Sequence, residues 1–130
     1  MKLNHDCIRD LMLSVEENLK IDEVLESSDL ESFAFFSKYS EEDIVYTILK
    51  LSEAHYLKVE TQYGDDTLQT LLITDVTWSG HQFLDTIRDN KVWKNTKSIV
   101  SKFSSVSVTL LKEVASTVLL EMIHKQINQS

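Results

Sequence analysis

The sequence predicts an α+β fold that is mostly helical: a winged helix-turn-helix-like domain with a β-hairpin wing and a C-terminal helical tail. Three observations carry that prediction. Apolar residues recur at 3.6-residue spacing in residues 4–19 and again from about residue 40 to 55, alternate between residues 57 and 74, and return to helical spacing from residue 78 onward. Gly64-Asp65-Asp66, residues tolerant of positive φ, punctuates the alternating stretch and makes it a hairpin. The order helix, intervening segment, helix, hairpin, helix is that of a winged helix, in which the helix before the hairpin is the recognition helix and the hairpin is the wing.

Each element has its own signal. Asn4 caps a first helix whose apolar positions are Ile8, Leu11, Met12, Val15 and Leu19, with Asp6 near the positive end of the helix dipole. Residues 20 to 39 hold Ile21, Val24, Leu25, Leu30, Phe33, Phe35 and Phe36 without a sustained period, broken by Glu26-Ser27-Ser28-Asp29, which predicts a short helix or turns. Ser40 before Glu41, Glu42 and Asp43 starts a second long helix to about His55, with Ile44, Val45, Ile48, Leu49 and Leu51 as its apolar face. Leu57, Val59 and Thr61, then Leu71 and Ile73, supply the two strands. Thr77 caps the next helix, whose Phe83, Leu84 and Ile87 face inward. Asp89 or Asn90 caps another, with Val92, Trp93, Thr96, Ile99, Val100 and Phe103 on one face. Ser105 or Ser107 starts a last helix, apolar nearly all round.

At 130 residues, with no proline and only Gly64 and Gly80, the chain fits one domain without a flexible linker. Residues 1–88 form its winged-helix-like core, and residues 89–130 form a C-terminal helix pair packed on it. An apolar fraction of 42% with 8% aromatics is that of a globular protein rather than a disordered one. The lone cysteine, Cys7, cannot form an internal disulfide, and no cationic stretch followed by an apolar one opens the sequence, so a cytoplasmic location is expected. The apolar run from Val114 to Ile123 is interrupted by Glu121 and is too short for a membrane span.

Several stretches together resemble a known family. They are Met1 to Asp10 with Val15-Glu16-Glu17-Asn18, the helix start Tyr39-Ser40-Glu41-Glu42, and Gly80-His81-Gln82-Phe83-Leu84-Asp85-Thr86-Ile87-Arg88-Asp89 with Val92-Trp93. The chain resembles, over nearly its whole length, the small phage and prophage proteins grouped as domain of unknown function 2513. The resemblance implies a winged-helix-like fold and a bacterial or phage setting. It carries no catalytic residue, so none is transferred.

Chemistry-bearing clusters are few. His81 and Asp85 are four residues apart and Asp85 and Arg88 three apart, which is the spacing of surface ion pairs. A metal site needs three or four convergent ligands. His5, Asp6 and Cys7 are adjacent and so point about 100° apart on a helix, which leaves Cys7 as a small buried apolar group. No phosphate-binding glycine loop, nucleophile elbow or paired-cysteine motif occurs, so neither enzymatic activity nor a cofactor is expected. Trp78 and Trp93 with Phe83 and Phe103 are expected in the core.

Charge divides the chain. Residues 1–66 hold 16 acids against 6 Lys/Arg, and residues 67–130 hold 5 against 7, which sum to the net charge of −8. The expected recognition-helix surface, Glu42, Tyr46, Thr47, Lys50 and Glu53, is mostly acidic or neutral, and the wing tip is acidic too, whereas groove and phosphate contacts need Lys, Arg, Asn or Gln. Arg88, Lys91, Lys94, Lys97 and Lys102 are opposed locally only by Asp89 and would meet a nucleic acid or an acidic partner. The reading that follows is a regulatory or adaptor module of phage type that acts by binding protein. The alternatives are a winged-helix transcriptional regulator touching DNA through the basic helix, and a phage inhibitor whose acidic half mimics nucleic acid. The last helix is wider in its apolar surface than one packing face requires, which predicts a homodimer through residues 107–127, with Val114, Val118, Leu119, Met122 and Ile123 at its interface.

Overall fold

In the computed structural model, which describes residues 1–129, the chain is α+β and mostly helical, with one small antiparallel sheet. It divides into two compact units, Met1–His81 and a second beginning at Gln82. The division falls inside a helix, Trp78–Ile87, seven residues or so before the boundary the sequence suggests.

The first unit begins with α1, His5–Asn18. The Asn4 side chain accepts a hydrogen bond from the Cys7 N–H at 3.1 Å, as its sequence position predicts. Cys7, Ile8, Leu11, Met12 and Val15 are buried on one face. A two-residue strand, β1 (Leu25–Glu26), leads into a single turn, α2 (Ser27–Leu30), whose start is held by the Asp29 carboxylate accepting from the Glu26 N–H at 2.8 Å. A 3-10 turn follows at Phe36–Lys38. The Tyr39 hydroxyl donates to Asp10 of α1 at 2.7 Å, and the buried Phe35 ring lies 6.0 Å from Phe33 and 6.4 Å from Tyr39. Burial and the Asp10 carboxylate together hold the Tyr39 hydroxyl well above the usual tyrosine range.

Helix α3, Glu41–Glu53, packs on α1. Ser40 accepts from the Asp43 N–H at 3.1 Å, and Glu41, Glu42 and Asp43 sit in the first turn where the helix dipole favours them. Ile44, Thr47, Ile48 and Leu51 form the buried face. Thr47 was expected on the surface. It lies on the same helical arc as Ile44, Ile48 and Leu51, and its hydroxyl is satisfied locally, donating to the Asp43 carbonyl at 2.7 Å and meeting Cys7 Sγ at 3.6 Å.

The helix ends two residues before the expected His55. His55 takes the left-handed conformation at φ 65°, and the Tyr56 and His55 N–H groups fold back to the carbonyls of Leu51 and Ser52 at 2.9 and 3.0 Å. The chain then enters β2 (Leu57–Gly64) and returns as β3 (Thr67–Val76). Asp65 and Asp66, at φ 53° and 62°, make the hairpin turn, while Gly64 pairs with Thr67. The sheet order is β1-β3-β2, with Leu25 opposite Ile73 and Glu26 opposite Leu72. Leu57, Leu71 and Ile73 are buried.

Helix α4 is the segment Trp78–Ile87 that spans the division. Thr77 caps it, accepting from the Gly80 N–H at 2.9 Å. Thr77 also donates its N–H to the Tyr56 carbonyl at 3.2 Å and its hydroxyl to the His55 carbonyl. A Cβ on Gly80 would stand 2.1 Å from the Tyr56 carbonyl oxygen and 2.9 Å from Val76 Cγ1, so only glycine allows this crossing. Gly80, Phe83, Leu84 and Ile87 are buried, and Trp78, on the opposite side of a 3.6-residue period, is 78% exposed, contrary to its expected place in the core.

In the second unit, Asp89 caps α5 (Asn90–Val100) by accepting from the N–H groups of Lys91 and Val92 at 2.8 and 3.0 Å. Val92, Trp93, Thr96 and Val100 are buried, and α5 packs with α6 (Val108–Gln129). Ser107 is the cap of α6, accepting from the Leu110 N–H at 3.1 Å. Phe103 is 64% exposed because it lies past the end of α5, where the helical period no longer applies, and Ile99 sits at the edge of the buried arc. Val108, Leu111, Ala115 and Val118 form the buried stripe of α6.

Three outcomes follow from this packing. Gly80→Ala is expected to cost about 3 kcal/mol in urea unfolding, since backbone must move to admit the methyl group. Thr96 Oγ1 is buried without a hydrogen-bond partner, so Thr96→Val is expected to raise stability by about 1 kcal/mol in the same measurement. Burial pushes the Cys7 thiol above its ordinary pKa, with Asp43 and Asp10 adding to a shift that the Thr47 hydrogen bond partly opposes. Iodoacetamide is therefore expected to label Cys7 at the rate of unfolding rather than the rate of an exposed thiol; prompt labelling of the native protein would contradict the burial.

Candidate partner-binding surface

The outward side of α3 is a second stripe, not the polar face of an amphipathic helix. Glu42, Val45, Tyr46, Leu49 and Glu53 share the arc opposite Ile44, Ile48 and Leu51. Val45, Tyr46 and Leu49 are half-buried and, with Met1, line a shallow hollow whose rim is Glu41 and Glu42. The Tyr46 hydroxyl points across it to the Met1 carbonyl at 3.4 Å. Val45 and Leu49 were read from the sequence as core. Their i, i+4 spacing, offset from Ile44 and Ile48, is the signal that distinguishes them.

Lys50 is the sole cation of α3. Its ammonium lies 2.9 Å from the Glu53 carboxylate and 5.5 Å from the centre of the Tyr46 ring. The Glu53 carboxylate, by hydrogen bond and charge, raises the Lys50 pKa. Of the expected recognition-helix residues, then, Glu42 and Tyr46 edge the hollow, Lys50 and Glu53 pair beside it, and Thr47 is inside. The arrangement can seat an apolar side chain and attract positive charge around it. Its one ammonium, Lys50, is held by Glu53 rather than presented alone to a base edge.

On α5, Lys91 and Lys94 are exposed on the side away from Val92, Trp93, Thr96 and Val100, and Lys102 is exposed just past the helix end. Lys97 lies closer to the buried arc, with its ammonium 5.9 Å from the centre of the Trp93 ring, and Arg88 pairs with Asp85 at 3.4 Å. The five expected contact residues therefore separate into three that face outward together and two engaged within the protein.

The residues expected at a dimer interface separate too. Val118 is buried within the chain, Val114, Leu119 and Met122 are half-buried, and Ile123 is exposed. The exposed apolar side of α6 is instead Leu120, Ile123 and Ile127, one turn apart, with Leu110 further round. His81 pairs with Glu16 at 3.5 Å rather than with Asp85. Among the described residues no group of three or more His, Cys, Asp or Glu side chains could hold a metal ion, and no helix is long and apolar enough to cross a membrane.

A family model described as hypothetical protein (DUF2513) matches residues 2–107, which takes in every element from α1 to α5. A Haemophilus influenzae protein described as uncharacterized is 28% identical over 124 residues, covering 95% of this chain and 99% of that protein. No solved structure matches the chain. With the match running through both the α3 hollow and the α5 lysines, the chain belongs to the DUF2513 family.

Proposed function

We propose that the protein is a non-enzymatic adaptor or regulatory module that works by binding a protein partner through the outward side of α3. The observation that carries this reading is the hollow formed by Val45, Tyr46 and Leu49 with Glu41 and Glu42 on its rim. An apolar centre with a polar margin is the anatomy of a protein-binding patch. The carboxylates specify the partner's chemistry: an apolar side chain flanked by Lys or Arg.

The element order α1, β1, α2, α3, β2, β3, with sheet order β1-β3-β2, supports a winged-helix reading in which α3 is the recognition helix and the β2–β3 hairpin the wing. On that reading the usual DNA surface has been turned over to protein. Glu41, Glu42 and Asp43 at the start of α3, and Asp65 and Asp66 at the wing tip, would repel phosphate where such a domain normally attracts it. The unpaired thiol of Cys7 and a bacterial relative support a partner met in the cytoplasm of a bacterial cell.

A photo-crosslinking residue in place of Tyr46 tests the proposal in a bacterial lysate, with Asp65 as a control position. The expected result is a discrete protein adduct from position 46 and none from position 65. Leu49→Glu should cut its yield about tenfold or more, from the loss of roughly 1.5–3 kcal/mol of side-chain burial, with the variant still folded at the assay temperature by its melting curve. An adduct indifferent to Leu49→Glu, or sequence-specific DNA binding abolished by changing Tyr46 or Lys50, would overturn the reading.

A further inference from the structure

The acids of this chain stop short of one helix. Of 21 Asp and Glu residues, none lies between Asp89 and Glu113, a stretch that holds Lys91, Lys94, Lys97, Lys102 and Lys112. On α5 the outward arc is Lys91, Lys94, Asn95 and Ser98, with Ser101 and Lys102 just past the helix end, all of them exposed. From Lys91 to Ser98 the arc runs roughly 10 Å along the helix axis.

We propose that this face of α5 docks on the phosphate backbone of a nucleic acid, independently of the protein-binding role of α3. The side-chain types decide among polyanions. Lysine, asparagine and serine are the groups that meet phosphate and sugar oxygens, and each can donate there. An anionic membrane would need a row of apolar side chains beside the lysines to enter the interface, whereas Val92, Trp93 and Val100 are buried and the exposed apolar groups nearby are two, Ile99 at the edge of the buried arc and Phe103 past the helix end. An acidic protein partner would be anchored by Trp, Tyr or Arg, and the arc has none of these.

The net charge of −8 does not oppose the contact at close range. At physiological ionic strength a charge is screened over about 8 Å, so what meets the phosphates is the local face rather than the sum over the chain. Binding is then expected to be sequence-independent and weak, with a Kd of about 10⁻⁴ to 10⁻⁶ M at physiological salt. The lack of Arg and Gln on the arc fits a surface that positions a nucleic acid without reading its bases.

The test is fluorescence anisotropy of the full chain against a labelled mixed-sequence DNA duplex and a labelled single strand, across a range of salt. We expect salt-dependent binding to at least one of them, and the stronger of the two identifies the form of the backbone. Replacing Lys91, Lys94 and Lys102 together by Ala should flatten the duplex slope of log affinity against log salt by about 2.7, roughly 0.9 per lysine. That equals about a 40-fold smaller loss of affinity between 50 and 200 mM salt. The same three positions changed to Arg should keep the parent slope, and Leu49→Glu in α3 should leave it alone. Circular dichroism melting of the triple Ala variant checks that the fold is retained, as the exposure of all three side chains leads one to expect. The proposal is overturned by absence of binding to both nucleic acids at low salt, or by a triple Ala variant that binds with the parent slope. Equal or tighter binding to phosphatidylserine vesicles or to polyglutamate would overturn it as well.

Discussion

Where α3 gives way to the sheet, two backbones cross at a distance that leaves room for a hydrogen atom and nothing larger. Gly80 supplies that hydrogen, and the Tyr56 carbonyl is the group it meets. Thr77 ties the crossing from both sides, binding the carbonyls of His55 and Tyr56 while it caps α4. Because His55 and Tyr56 also terminate α3, one knot of hydrogen bonds sets the end of the helix, the entry to β2 and the return from β3 beside it at Leu57 and Val76. The left-handed backbone of His55 is tolerated only because the groups on either side of it are fixed in this way. Anything that loosens the crossing moves the end of α3, and with it the hollow along its outer side.

Much of this was legible in the sequence, for reasons that differ by element. Asn4, Ser40 and Thr77 declare their helices because a short polar side chain before an apolar period has one efficient use, while at the last two helices the sequence offers two caps each and the hydrogen bonds decide for Asp89 and Ser107. The hairpin declares itself through a change of period and a pair of aspartates. β1 does not, since two residues are too few to show any period, and Leu25 and Glu26 find their place only by pairing with Ile73 and Leu72. Thr47 looked like surface because it is polar, yet a threonine that bonds back to the carbonyl four residues earlier is nearly as easy to bury as a valine. Trp78 and Phe103 looked like core because they are large, and position rather than size decided against them. The α6 helix defeated the reading in another way: with Leu, Val and Ile around most of its circumference, the pattern cannot say which stripe is inside.

The charge asymmetry also has a structural side. Glu41, Glu42 and Asp43 stabilise the first turn of α3 through its dipole whatever else they do, so a functional reading of that surface rests on the apolar residues between the acids rather than on the acids alone. The α5 helix differs in this respect. Its capping need is met by Asp89 and its buried face by Val92, Trp93 and Val100, which leaves the outward lysines with no part in holding the helix together.

The position of β3 between its neighbours has a further consequence. β2 stands at the edge of the sheet with its outer hydrogen-bonding groups uncovered along most of its length, the kind of row on which a foreign strand can be laid down. Two irregularities in register, at Lys58/Val59 and at Gln62/Tyr63, bend the hairpin out of the flat geometry such templating needs. The alternating Lys58 and Glu60 put charge of both signs where an aggregating copy would have to bury it. The edge of the sheet is thus made unattractive to misfolded chains by residues at or beside the two register shifts of the hairpin.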